Sequence, residues 1–322
     1  MRGLYLLFLL LLASPAAANP EQWQLDLLKR EFPKADFSKQ AVPLSEIQSG
    51  GPPRDGIPAI DNPVFRPASE LDLVATEPVI GVEIGGAYKA YPLRVLMWHE
   101  IANDTLGDVP ITVTYCPLCN AAITFRREMG SRLLDFGTTG RLRNSDLIMY
   151  DRQTESFFQQ ATGRAIIGTL MGEKLKMIPS RLESFADFKA RAGSDAPVLV
   201  PNNPDLRDYG TNPYEGYDEA RPFLYRGEMP EGINPLERVV TTEAREIAYS
   251  LSLLREKGEI EAPDGTRFSW SPGQSTALGH RSISEGKDIG NVTATRGGKD
   301  VVYFVEFAFV FHAFSDGQEI VK

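Results

Sequence analysis

The chain has 322 residues, 42% hydrophobic and 24% charged, with a formal net charge of −9 and no Lys/Arg-rich block. That balance argues against nucleic acid or an anionic membrane surface as partners. The 28 Gly and 23 Pro favour turns and short strands over long helices, in a chain long enough for one large domain or two.

The chain opens with Arg2, an apolar run from Leu4 to Leu12 and the small residues Ala16-Ala17-Ala18. This pattern predicts a cleavable export signal over 1–18, a mature chain starting near Asn19, and a periplasmic or secreted protein. The run is too short to span a bilayer, and no later stretch approaches that length. No Cys lies near the cleavage site, so a lipoprotein is not expected. No twin arginine is present, so export of an unfolded chain is expected, with any ion loaded outside the cytoplasm.

Glu21 to Phe32 has a helical period with Trp23, Leu27 and Leu28 on one side. The Pro/Gly-rich stretch from Ser49 to Pro63 is loop. Val79–Ile84 and Ala87–Tyr91 read as a hairpin across Gly85-Gly86, and Pro92 starts a helix running to about Asn103. Strands follow at Ile111–Tyr115, Ala122–Phe125, Leu133–Phe136, Leu147–Tyr150 and Ser156–Phe158. Ser184–Ala192 is a short helix. Residues 202–234, rich in Pro, Gly, Asn and Tyr, form a long functional or wrapping loop. The tail returns to strand, ending with Val301–Phe311.

These elements predict a β-rich α+β fold of mostly antiparallel sheets with short helices. The expected division is a signal at 1–18, a helix and wrapping segment at 19–70, a cysteine-bearing β lobe at 71–200, and the tyrosine-rich loop with a second β lobe at 201–322. The echo between Ala90-Tyr91-Pro92-Leu93-Arg94-Val95-Leu96 and Ala248-Tyr249-Ser250-Leu251-Ser252-Leu253-Leu254 suggests that the two lobes are related.

The chemistry centres on the only two cysteines, in Thr114-Tyr115-Cys116-Pro117-Leu118-Cys119-Asn120. A disulfide closing so short a loop would contribute only about 2 kcal/mol of chain entropy. Metal capture or thiol–disulfide exchange is the better use, although a plain structural disulfide is the bland alternative in an oxidising compartment. Cys-Pro-Leu-Cys between two strands looks like one knuckle of a zinc-ribbon-type site, and a second knuckle is missing. A thioredoxin-type thiolate needs a helix N-terminus and a βαβ setting, neither of which is visible.

The remaining soft donors are His99, His280 and His312. His99, on the helix that leads into the cysteine strand, is the favoured third ligand, and a copper or zinc ion on Cys116, Cys119 and His99 is the leading functional reading. Asn103 would share the face of His99, with Glu100 pointing about 100° away. The bland reading of His99 is a ring bonded to a backbone carbonyl.

Glu100, Asn103, Arg143, Asp146, Asp151 and Arg152 are weaker catalytic candidates, for a hydrolase or transferase in which the cysteines are only structural. Arg–carboxylate pairs at a sheet edge are the simpler account of that cluster. Tyr209, Tyr214 and Tyr217 would stack on a glycan or peptide, or pin their loop to the core. Gly137-Thr138-Thr139-Gly140 and Gly297-Gly298 lack a strand–loop–helix phosphate cradle, so no nucleotide cofactor is expected.

Several of these segments resemble one family of exported bacterial proteins. They are Ser49 to Pro58, Ala90 to Arg94 with Trp98 to Asp104, Thr114 to Cys119, Phe136 to Asp146, Met149 to Ser156 and Asn212 to Asp218. The family is domain of unknown function 3179, and the resemblance spans about residues 41–322. It implies membership without implying an activity.

Overall fold

Short β-branched and aromatic runs, each broken by a Gly, Asn or Asp turn, cannot build long elements, and the chain accordingly folds as many short strands. The computed structural model describes residues 20–322, so the expected signal at 1–18 lies outside the described residues. Strand accounts for 37% and helix for 18%, with small, mainly antiparallel sheets set in a propeller-like ring. Among the described residues five α-helices are formed: α1 (Pro20–Glu31), α2 (Leu93–His99), α3 (Phe185–Ala192), α4 (Leu251–Lys257) and α5 (Ala308–Phe314). No helix among the described residues is long and apolar enough to cross a membrane.

The echo in the sequence corresponds to a repeated topology. In the first unit, the hairpin Pro78–Ile84 and Ala87–Pro92 leads through α2 into the meander Ile101–Leu106, Val109–Cys116 and Ala121–Arg126. The strand Ser180–Ser184 then pairs antiparallel with Pro78–Ile84. After α3, Pro197–Val200 pairs parallel with Ala87–Pro92.

The second unit repeats this order. The hairpin Arg238–Thr242 and Ala248–Ser250 leads through α4 into Glu259–Glu261, Arg267–Ser271 and Asn291–Arg296. Tyr303–Phe307 and, after α5, Ile320–Val321 close its sheet in the same antiparallel and parallel senses.

The units are tied by reciprocal bonds. Asn120 Nδ2 donates to Val305 O at 2.9 Å, and Ser184 N donates to Asn291 Oδ1 at 2.6 Å. Each bond joins the meander of one unit to the closing strand of the other.

An insertion in the first unit supplies a further sheet, ordered Gln48–Ser49, Phe136–Arg143, Asp146–Asp151, Phe157–Gln159 and Arg164–Ile167. α1 packs Leu28 against this sheet's Ile148, Tyr150 and Phe157, while Trp23 is exposed rather than on the packed side. The segment 202–234 connects the units as a strap with one 3-10 turn, Tyr217–Glu219.

Two expected elements change type partway. The helix predicted from Pro92 to Asn103 ends at His99, because Glu100 takes a positive φ and Ile101–Leu106 joins a sheet. Asn103 is therefore on a strand and does not share a helical face with His99. The predicted strand Val301–Phe311 is a strand only over Tyr303–Phe307. Its apolar continuation becomes the buried face of α5, where Phe309, Val310 and Phe311 pack in the core. A continuous apolar run fits a buried strand or a buried helix equally well by pattern.

A buried ion pair holds the second unit to the insertion. Arg245 forms a bidentate bridge to Glu306, and its Nη2 also donates to Ala161 O at 3.0 Å. Arg245→Met would leave Glu306 charged and unpaired in the core. It is expected to lower unfolding free energy by about 3–5 kcal/mol, measured by urea denaturation.

Candidate metal centre

The cysteine knuckle is built by local backbone chemistry. Cys116 ends one strand, Pro117 opens a single 3-10 turn over Pro117–Cys119, and Asn120 closes it in the left-handed region at φ 52, ψ 28. Asn tolerates that conformation better than most residues. Ala121, paired with Cys116, then resumes the sheet. Both cysteines are free, at 1% and 0% exposure.

A second tight turn faces the first. Phe136–Arg143 and Asp146–Asp151 form a hairpin whose two loop residues, Asn144 and Ser145, have φ of 52° and 67°. Two positive φ values are the signature of a type I′ connection. The turn presents Ser145 O at 3.8 Å from Cys116 Sγ and 3.5 Å from Cys119 Sγ. It also delivers Asp146. Cys116, Cys119 and Asp146 each offer a donor atom, all within 4.8 Å of one another, and all three residues are buried.

Asp146 has an unusual division of labour between its oxygens. Oδ2 accepts from Gln159 Nε2 at 2.6 Å and from Ala161 N at 2.9 Å, whereas Oδ1 is buried without a hydrogen-bond partner. Cys119 Sγ lies within 4.8 Å of a carboxylate oxygen of Asp146. Burial pushes Asp146 up to about 7, opposed by the Ala161 N–H, Gln159 and Cys119. Burial likewise raises both thiols. Burial thus works against the charged form of each acid at the site.

Glu100 adds a further acid. It caps α2 at φ 56, ψ −30, donates its N–H to Leu96 O at 2.7 Å, and accepts from Tyr115 N at 2.8 Å. Such backbone strain costs a side-chain-bearing residue on the order of 1–3 kcal/mol. Burial first, and the Asp146 charge second, push its carboxyl up to about 8.

The strap closes over this centre. Tyr217 Oη donates to Leu118 O at 3.1 Å and accepts from Phe223 N at 3.2 Å, while Ser145 Oγ donates to Phe223 O at 2.5 Å. Tyr217 thus pins the loop, and Tyr214 is packed against the main core.

The structure does not gather His99 into the cysteine group. Its Nδ1 lies 2.7 Å from Pro58 O and its Nε2 2.7 Å from Tyr209 Oη, with the Tyr209 ring stacked 5.8 Å away. Burial lowers its pKa and favours the neutral ring. The bland reading of this histidine, a ring bonded to a carbonyl, fits these contacts. His280 is exposed beside Glu285 at 3.0 Å, and His312 lies in the last turn of α5.

The other polar candidates disperse. Asn103 Nδ2 donates to Asp61 Oδ1 and Phe136 O, and its Oδ1 accepts from Phe136 N. Arg143 pairs with Glu46, and Arg152 with Asp61. Asp151 caps its own turn through Thr154 N and Ser156 N. These are the edge pairs of the simpler account. Asp146 was visible among them, but not its partnership with the thiols. The Asn144-Ser145 turn was the available signal for where Asp146 would point.

A family model described as "Protein of unknown function (DUF3179)" matches residues 54–318. No curated protein and no solved structure matches the chain significantly.

The raised carboxyls carry a pH signature. Between about pH 4 and pH 8 the unfolded chain has released protons that folded Glu100 and Asp146 still hold, so the metal-free protein loses stability as pH rises through that window. Denaturation midpoints measured across that range should fall and then level off, and Glu100→Gln should flatten part of the slope. A flat wild-type profile contradicts the assignment.

Proposed function

This chain belongs to the DUF3179 family, and since that membership carries no activity, we propose from the site itself that the protein binds a copper or zinc ion through Cys116, Cys119 and Asp146. The observation that carries this reading is the buried, partnerless Asp146 Oδ1 beside two free thiols. Leaving a buried polar atom unpaired costs on the order of 1–3 kcal/mol, and a cation between the carboxylate and the sulfurs removes that cost.

The acids around the ion would then be neutralised by it rather than by protons. Loading is therefore proton-coupled: each thiol that becomes a thiolate ligand releases its proton. Gln159 and the Ala161 N–H hold Oδ2, which leaves Oδ1 as the unpartnered donor. Buried Tyr217, bonded to Leu118 O, covers the knuckle, so the strap has to lift for an ion to enter or leave.

Thiol–disulfide exchange is a weaker account. An exchanging cysteine works as an accessible, low-pKa thiolate, whereas burial shields both sulfurs here and raises both thiols. The residue order at the amino end favours export, which would place ion acquisition outside the cytoplasm.

Metal analysis of anaerobically purified protein tests the assignment. Cys116→Ser and Asp146→Asn should lose the ion, while His99→Ala should retain it. Equal metal content in these variants and the wild type would sink the site.

A further inference from the structure

Two consecutive residues place buried oxygens beside the two sulfurs. Asp146 Oδ1 has no hydrogen-bond partner, and the partners of Ser145 O among the described residues are Cys116 Sγ at 3.8 Å and Cys119 Sγ at 3.5 Å. A thiol is a weak donor, whereas a buried backbone carbonyl is as a rule paired with an N–H. Ser145 is fully buried although it belongs to a two-residue hairpin loop, a place where backbone groups ordinarily face water. This loop is turned inwards instead. Its φ values of 52° and 67° fix the peptide planes, and Ser145 Oγ fastens it to the strap by donating to Phe223 O at 2.5 Å.

The two sulfur–carbonyl distances have a specific meaning. With metal–sulfur bonds of about 2.3 Å, metal–oxygen bonds of about 2.0–2.2 Å and tetrahedral angles, a sulfur and an oxygen on one ion lie about 3.5–3.7 Å apart. Ser145 O keeps that separation from both sulfurs within about 0.1 Å. The chain order of the donors fits as well. A structural zinc site is commonly made of two tight turns that give two ligands each. Here Cys116 and Cys119 come from one turn, and Ser145 O and Asp146 come from the turn that faces it.

We propose that the Ser145 carbonyl oxygen is the fourth donor of the centre, so that the Asn144-Ser145 turn is the second knuckle and protein atoms close the coordination sphere. The inference rests on the metal reading of Cys116, Cys119 and Asp146. In the metal-free chain the carbonyl accepts from the thiols. Binding one Zn(II) breaks both S–H bonds, sends the two protons to solvent, and gives the carbonyl the cation in their place. A neutral fourth donor also limits the buried charge, because two thiolates and one carboxylate already exceed the charge of a divalent ion. The mixed set of two sulfurs and two oxygens suits Zn(II), whereas Cu(I) selects thiolates and thioethers. A catalytic zinc keeps one position open for water, and this centre has none. Its ion is therefore held as a structural element or as cargo, and does not activate water.

The test is the crystal structure of the chain loaded anaerobically with one equivalent of Zn(II). It is joined by electron–nuclear resonance of the Co(II) form, loaded in water enriched in the magnetic isotope of oxygen. Ser145 O should lie about 2.0–2.2 Å from the zinc, and no coupling to a bound water oxygen should appear. Loading in labelled water makes the second result independent of how slowly solvent enters the finished site.

A water oxygen in the fourth position, seen in the map and by its coupling, overturns the closed centre and leaves the three-residue site standing. A three-coordinate ion with Ser145 O out of bonding range does the same. A wild type that takes up no Zn(II) overturns the metal reading and this inference with it.

Discussion

Desolvation of ionisable groups is the constraint on which the rest of this structure depends. Two thiols and two carboxyls are held out of water where the cysteine meander, the inserted sheet and the strap meet. Each would be cheap to ionise at the surface, and each is raised by burial. Other buried charges in this fold are paired, as Arg245 with Glu306 and Arg94 with Glu77, or held by hydrogen bonds, as Asp151 by Thr154 and Ser156. The thiol–carboxylate group lacks such a bidentate cation. The surrounding backbone holds the acids together all the same, with tight turns at Asn120 and at Asn144-Ser145 fixing two of its sides.

The duplicated topology explains how such a centre can be attached without disturbing the ring. Both units share hairpin, helix, meander and closing strands, and the reciprocal bonds of Asn120 and Asn291 hold them in one arrangement. The first unit adds an insertion after its meander, and that insertion brings Ser145 and Asp146 to the knuckle. In the second unit the corresponding strand connection is the longer stretch from Pro272 to Gly290, with no cysteine. Shared architecture thus supplies rigidity, and the difference between the units supplies the chemistry.

Much of the architecture was legible in the sequence because it depends on short-range rules. Gly85-Gly86 marks the first hairpin, Ser184 caps α3 by accepting from Asp187 N, and the Tyr91/Tyr249 echo marks the repeated strand-to-helix joint. The cysteine knuckle was legible for the same reason. What was not legible depended on tertiary contacts. Helical spacing aimed Glu100 away from His99, but the helix ends before Glu100, so spacing no longer governs its direction. His99 stands near the cysteines along the chain, yet Pro58 and Tyr209, distant in sequence, take both of its nitrogens. Asp146 reaches the sulfurs only because one sheet is laid against another. No local pattern encodes that packing.

The bond from Asn120 to Val305 joins residues 185 positions apart. Contacts of such separation form late in folding, because a long loop must close before they form. Asn120 is the residue that locks the knuckle's turn, so the sulfurs remain open to solvent until the end of the chain has docked. In that order of events the carboxy-terminal unit is the closure of the cysteine knuckle, and solvent reaches the two sulfurs of the finished protein through local opening of that closure.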